Sequence, residues 1–481
     1  MWQQILIAYA IVDVFIRVAM TPVILRRRFT AQRALLWLMV VYLIPIPGAV
    51  LYFLLGRQYV GARRRKAYAQ AQEQREEPEA SKALRQKRHL PSVPDSQIPV
   101  LRLAEAMSGN EILGGNAVTY IAEVEDLADL LVNVIDQAEH HVHLLYYIML
   151  DDHIGGRVLE AAVQAVERGV MVRVLIDDVG SGKLTEEKRL KKWRDRGLDV
   201  RPAMSVGRLR RRFARFDLRN HRKLAVIDGR VGFAGSHNLV SQDYHRSDKP
   251  MSRTVDLSAE FAGPIVGQLQ RAFLDDWAFE TGETFDDPRY FPDLEDAGEI
   301  TGHVVPTGPT DETETYRRVL IAALGSALER VVITTPYLIP DEPTLLALSL
   351  VAQRGVDVTL VVPERLNKPL VELASYAYYG RLIESGIHIY QHRDLLLHSK
   401  TVTIDHHLAL VGSANLDVRS FELNFELTMM LYGDEPTREL RNIQQSYLDN
   451  SHPVELEAWR RSRSTLRFYG ERAAALLSPL L

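Results

Sequence analysis

HRKLAVIDGRVGFAGSHN, residues 221–238, and HSKTVTIDHHLALVGSAN, residues 398–415, are one string written twice. His221, Lys223, Asp228, Gly235, Ser236 and Asn238 recur as His398, Lys400, Asp405, Gly412, Ser413 and Asn415, each displaced by 177 positions. A lone His-x-Lys carries no information. Identities at one constant offset mark an internal duplication, so the chain holds one half-site used twice. Within each copy, Leu224 to Ile227 and Leu408 to Val411 have the composition of strands. Period-two geometry then puts His221 and Lys223 on one face and Leu224 and Val226 on the other. Asp228 and Asp405 fall at turns, where they are expected to position a hairpin or pair with a basic side chain rather than touch a substrate.

The residue types suit a phosphodiester. Lys and Asn donate to phosphate oxygens, Ser can donate as well, and His is a nucleophile or proton carrier near neutral pH. Lysine is not a usual metal ligand and each copy offers one histidine, so the expectation is a site with no metal and no cofactor. The neighbouring His140, His141 and His143 open an expected buried strand without spaced carboxylates and are read as structural. His406 and His407 are read as surface residues, and Tyr376, Tyr378 and Tyr379 as a helix-packing stripe.

These strings resemble the paired His-Lys-Asp motifs of the phospholipase D superfamily. The similarity continues upstream, where residues 167–170 (ERGV) and 353–356 (QRGV) each lead into an apolar strand. It covers the chain from about Val100 onward. The resemblance implies an α/β fold of two pseudo-symmetric α-β-α sandwich halves forming one catalytic unit. It also implies a carboxylate on a later strand supporting each histidine. Glu426 lies 28 residues after His398, whereas the matching Asp256 lies 35 after His221. By the same analogy His221 is the nucleophile and His398 the acid/base, a choice the symmetry of the strings cannot make.

The first 60 residues are of another kind. Ile5 to Leu25 and Ala34 to Leu55 are 21 and 22 residues long, near the ~20 that span a bilayer as helix. Positive charge follows each run instead of preceding the first, which argues a retained two-helix anchor and not a cleaved signal. Asp13 and Arg17 stand at i, i+4 and are expected to pair, while Pro45 and Pro47 should kink the second run or let it re-enter. Residues 61–99, rich in charge and then in proline, read as a stalk and linker. Two repeats follow at 100–290 and 291–481, joined through an acidic stretch at 285–299.

Strands and helices alternate in the same order in both repeats, ahead of each motif. Just before His221, Arg208, Arg210, Arg211, Arg212 and Arg215 are interleaved with Leu209, Phe213 and Phe216, a pattern suited to an anionic lipid surface. Net charge is −4 over 481 residues and cysteine is absent. There is thus no global basic field to favour nucleic acid, no disulfide and no thiolate metal site.

Anchor, stalk and duplicated motifs together most resemble the bacterial lipid phosphatidyltransferases of the superfamily. The implied reaction joins two phosphatidylglycerol molecules with loss of glycerol, through a phosphatidyl-histidine. The implied location is the bacterial inner membrane, multi-pass, with the catalytic part cytoplasmic. Anionic membrane lipids are the expected partners, nucleic acid is not, and an oligomer is left open. The alternatives are a membrane-bound phospholipase D that hydrolyses, or a nuclease of the same superfamily.

Overall fold

Each duplicated string folds into a β-hairpin near the middle of its half. The computed structural model describes residues 2–26, 31–56, 66–70, 87–205, 218–242, 253–284, 287–309 and 314–476. Most of the expected stalk and the whole of Arg208–Arg215 lie outside the described residues.

In the first half the strands are β1 (Leu113–Ile121), β2 (His141–Tyr146), β3 (Met171–Asp177), β4 (Asp199–Ala203), β5 (Lys223–Ile227), β6 (Val231–Gly235) and β7 (Ser258–Ala262). In the second they are β8 (Ile300–Thr307), β9 (Arg330–Thr334), β10 (Asp357–Pro363), β11 (His388–His392), β12 (Thr401–Ile404), β13 (Leu408–Gly412), β14 (Glu426–Tyr432) and the short β15 (Ser451–Pro453). All fifteen join one sheet, in the order β15-β11-β10-β9-β12-β13-β14-β8-β1-β7-β6-β5-β2-β3-β4. Outward from the antiparallel β1/β8 seam, each half repeats one sequence of partners. The hairpin registers match as well: Leu224 pairs with Ala234 and Ile227 with Val231, as Thr401 does with Val411 and Ile404 with Leu408.

The alternation expected along the motif strands sorts side chains between cores. Ala225 and Ile227 enter the first-half core beneath the helices Val124–Asp136 and Gly155–Glu167. Leu224 and Val226 enter a core shared by both halves, with Ala409, Val411, Leu427 and Met429. The helix Ile265–Thr281 covers that shared core with Leu269, Phe273 and Trp277. Val402 and Ile404 belong to the second-half core, under Thr315–Ser326 and Glu342–Gln353. An apolar core continuous across both hairpins makes the halves interdependent.

Strands and helices alternate as expected ahead of each motif, with helices at Val124–Asp136, Gly155–Glu167 and Glu187–Arg194 in the first half and at Glu342–Gln353 and Pro369–Glu384 in the second. The helix Ile98–Ser108 opens where the expected linker, 61–99, gives way to the first repeat. His141 and His143 are packed inside, both within hydrogen-bonding distance of Gln270, and His143 also reaches Arg173. Tyr379 is buried and stacks on Trp459, while the Tyr376 hydroxyl donates to the Glu364 carbonyl.

At the N-terminus the first apolar run forms one helix, Trp2–Leu25, with the expected Arg17–Asp13 ion pair at 2.9 Å. The second run breaks. Helix Ala31–Leu43 stops at Ile44, and Pro45 begins a second helix, Pro45–Leu51, followed by a π turn at Tyr52–Gly56. Gly48 sits so near the preceding turn that an added Cβ would lie 2.7 Å from the Val40 carbonyl oxygen. Thirteen residues make only about 20 Å of helix, against a hydrocarbon core of about 30 Å. Among the described residues no helix is both long and apolar enough to cross a membrane. Two full spans were expected; the structure instead has a proline-broken helical hairpin, with Ile11, Phe15, Val18, Leu35 and Leu43 exposed along it.

Candidate active site

The two motif aspartates adopt left-handed turn geometry, Asp228 at φ 52° and Asp405 at φ 49°. Each carboxylate then accepts three successive backbone N–H groups at the start of the neighbouring strand. Asp228 takes those of Glu139, His140 and His141, all at 2.8 Å. Asp405 takes those of Leu328, Glu329 and Arg330 at 2.8–2.9 Å. Burial works to raise the Asp228 carboxyl, but the three amides outweigh it and hold it below the usual carboxylate range. Neither aspartate lines the cavity described below, so both belong to the scaffold of the hairpin. Asp228→Ala strips a charged acceptor from three amides and is expected to destabilise the fold by about 2–4 kcal/mol. Chemical denaturation measures this, and a loss under 1 kcal/mol contradicts the role.

The halves exchange support for their histidines. The His221 N–H donates to the Phe425 carbonyl and the Phe425 N–H to the Arg219 carbonyl, in a parallel bridge between Asn220 and Phe425. Leu396 and Leu397 pair likewise with Thr254 and Val255, and the His398 N–H donates to the Val255 carbonyl at 2.7 Å. Each histidine is thereby delivered to the carboxylate of the opposite half. His221 Nδ1 lies 3.0 Å from Glu426 Oε2, and His398 Nδ1 lies 2.7 Å from Asp256 Oδ2. The uneven spacing in the sequence has a local origin. Asn238 to Asp256 is 18 positions and Asn415 to Glu426 is 11, so all seven extra residues fall between those two positions of the sequence. Both carboxylates reach equivalent places all the same.

Ser236 and Ser413, expected as phosphate donors, are instead fully buried behind the carboxylates. Ser236 Oγ donates to Asp256 Oδ1, and Ser413 Oγ to Glu426 Oε2 at 2.5 Å. Ser420 and Asn424 add donors to Glu426 Oε1 at 3.0 and 3.2 Å. A carboxylate so supplied stays ionised and orients its imidazole with Nδ1–H inward and Nε2 outward. Burial favours the neutral acids. Contact with His221 and the charge of Lys223 hold Glu426 below its ordinary range all the same, and contact with His398 and the charge of Lys400 do so for Asp256.

The lysines stand behind the imidazoles. Lys223 Nζ donates to the His221 carbonyl at 2.5 Å, and Lys400 Nζ donates to that of His398. Burial is the main cause that pulls Lys223 down to about 7 and Lys400 down to about 8. Burial likewise lowers His221 to about 4 and His398 to about 3, against the opposing pull of their carboxylates. Both imidazoles are therefore neutral at pH 7, with a lone pair available.

His221 and His398 line one cavity of ≈620 Å³, together with Asn238, Asn415, Asp256 and Asn424. Lys223 and Lys400 do not line it. Several contributors were not foreseen from the sequence. Tyr147 packs edge-on against His221 at 4.8 Å and lies 5.1 Å from Lys223 Nζ, and Arg419 and Asp417 form part of the wall. Arg222, between the motif His and Lys, is buried. It pairs with Asp276 at 2.6 Å and donates to the carbonyls of Glu426 and Thr307, tying the halves together. Ser399 occupies the equivalent position in the second copy, so the duplication gave no sign of it. Among the described residues no group of His, Asp and Glu has the arrangement of a metal site.

Comparison with known proteins agrees with this architecture. A family model described as cardiolipin synthase, PLD-like domain, matches residues 131–277 and 320–447, and one described as phospholipase D-nuclease N-terminal matches 5–57. Cardiolipin synthase A of Yersinia pseudotuberculosis serotype O:1b (strain IP 31758) is 32% identical over 466 residues, 95% of each chain. Cardiolipin synthase A of Yersinia pestis bv. Antiqua (strain Angola) matches with the same identity and coverage. Among solved structures, phosphatidylserine synthase of Haemophilus influenzae Rd KW20 superposes with a TM-score of 0.60 at 12% identity, covering 80% of this chain and all of that one. That likeness concerns the fold.

Proposed function

The chain belongs to the cardiolipin synthase family of phospholipase D-like enzymes and is a phospholipid phosphatidyltransferase; on that premise we propose that it joins two phosphatidylglycerol molecules into cardiolipin and glycerol by double displacement. One observation carries the mechanism: two imidazoles, each buttressed by the other half's carboxylate, line a single cavity. In the first step His221 Nε2 attacks phosphorus and the bond to the headgroup glycerol oxygen breaks. That oxygen takes a proton from His398, leaving a phosphatidyl-histidine and free glycerol. In the second step a hydroxyl of another phosphatidylglycerol gives its proton to His398 and attacks phosphorus, and the P–N bond breaks to restore His221.

His398 must be protonated for the first step. An arriving phosphodiester anion supplies the negative charge that favours its imidazolium. Lys223 and Lys400 place positive charge behind the two histidines, and Asn238 and Asn415 offer amide donors at the wall, where charge accumulates on the equatorial oxygens. Asp228 and Asp405 hold the hairpins that carry these groups.

The lysines act in their charged forms, so their deprotonation limits the reaction on the alkaline side. With Lys223 near 7 and Lys400 near 8, kcat/KM is expected to fall as pH rises from 7 to 9. The acid limb comes from protonation of His221 near 4. A value that keeps rising through pH 9 contradicts the assignment.

Membrane attachment fits the broken N-terminal hairpin, whose exposed apolar side chains suit insertion into the bacterial inner membrane with the catalytic body on the cytoplasmic side. The direct test is lipid analysis after incubating purified protein with phosphatidylglycerol alone. Cardiolipin plus glycerol is the expected result, phosphatidic acid alone would promote hydrolysis, and insensitivity to EDTA is expected in either case.

A further inference from the structure

The last helix presents an apolar stripe that nothing in the catalytic reading uses. Helix Thr465–Leu476 carries Leu466, Tyr469, Ala473 and Leu476 at successive offsets of three, four and three, which places them on one face. Leu466 is 84% exposed, Tyr469 66% and Leu476 82%. Scattered exposed leucines are ordinary, but aligned ones on one helix are not.

The opposite face is anchored. Ala474 packs with Ile339, Val371 and Ala374, in a cluster that also touches Tyr337. Arg463 and Arg467 both pair with the buried Glu471. Tyr337 lines the catalytic cavity, so the helix stands one packing layer from its wall.

Charge identifies what covers the stripe. Residues 456–476 hold five arginines against two glutamates, in a chain whose overall charge is −4. Arg381, Arg460, Arg463 and Arg472 line a cleft of ≈360 Å³ together with Trp459, Phe468 and one acid, Glu384, which pairs with Arg460. Guanidinium groups beside exposed Leu and Tyr match the two layers of an anionic bilayer surface, phosphates outside and acyl chains within.

We propose that helix Thr465–Leu476 is an interfacial docking surface for anionic lipid, which seats the mouth of the catalytic cavity against the bilayer independently of the N-terminal hairpin. Substrate then passes from the membrane plane to the site without crossing water. This goes beyond the transfer reaction, which could proceed on dispersed lipid.

The chain has no cysteine, so Leu466→Cys accepts a single environment-sensitive fluorophore in the full-length protein. In proteoliposomes containing phosphatidylglycerol, the label should shift to the blue and be quenched by lipids spin-labelled near the headgroup. Replacing phosphatidylglycerol by phosphatidylcholine, or adding Arg461→Glu and Arg472→Glu, should reduce the quenched fraction about tenfold. A label that stays in water on phosphatidylglycerol vesicles, or quenching indifferent to lipid charge, overturns the proposal. So does a blue shift that vanishes at high lipid-to-protein ratio, since it reports contact between copies of the chain.

Leu466→Ser with Leu476→Ser should lower the rate on phosphatidylglycerol vesicles about tenfold and leave the rate on dispersed short-chain phosphatidylglycerol unchanged. An equal rate on vesicles counts against the surface. Loss of the short-chain rate would point to the catalytic reading or to folding, so the two failures are distinguishable.

Discussion

His221→Ala and His398→Ala each stop cardiolipin formation, but differently: without His221 no phosphatidyl-enzyme forms, whereas without His398 it forms slowly, for want of the acid, and is discharged more slowly still. Removing the nucleophile leaves no route to the phosphatidyl-enzyme, and kcat falls by about 10⁴-fold or more. Removing the acid/base costs about 10²–10⁴-fold. Once glycerol has left, a His398→Ala enzyme lacks the base needed to activate the second lipid. With acyl-labelled phosphatidylglycerol and a rapid denaturing quench, label should stay on the His398→Ala protein and be absent from His221→Ala. The opposite distribution exchanges the two roles, and near-normal turnover in either variant would remove that histidine from the chemistry. This measurement makes the choice that the duplicated strings cannot.

How much of this was legible in the sequence depends on how local each signal was. The hairpins are nearly self-specifying. Alternating apolar residues, an Asp at the turn and a constant offset defined a strand in each copy, the turn beside it and the parity of the faces, and the structure follows each. The crossing of support was not legible, because it depends on which half's loop runs alongside which strand. Glu426 is 28 residues from His398 and 205 from His221, yet it is His221 that it touches. Only the backbone bridges at Asn220–Phe425 and Leu397–Val255 decide the matter, and such bridges have no sequence pattern of their own. The seam strands β1 and β8 escaped notice for a related reason, since residues 113–121 contain two adjacent glycines and lack strict alternation. At the N-terminus the length of the second apolar run suggested a span, while its prolines announced the break that the structure shows at Pro45.

The crossed pairing gives the second large effect. If Glu426 serves His221, then Glu426→Gln should act as a weakened form of the nucleophile variant, slowing formation of the phosphatidyl-enzyme. Asp256→Asn should act as a weakened form of the acid/base variant, letting the intermediate form and then accumulate. Loss of a carboxylate that fixes an imidazole's tautomer and supports its positive form costs about 10²–10⁴-fold in rate, so both effects should stand well clear of assay error. Folding should survive Glu426→Gln, because the amide keeps an oxygen for Ser420 and Asn424 on one side, and an unchanged circular dichroism spectrum checks this. A support role within each half predicts the reverse, with Glu426→Gln accumulating intermediate and Asp256→Asn failing to form it. A quench-flow measurement of label bound to each variant separates the two arrangements. Where the support is crossed, neither repeat can hold a working histidine alone, since each lacks the carboxylate that its own imidazole needs.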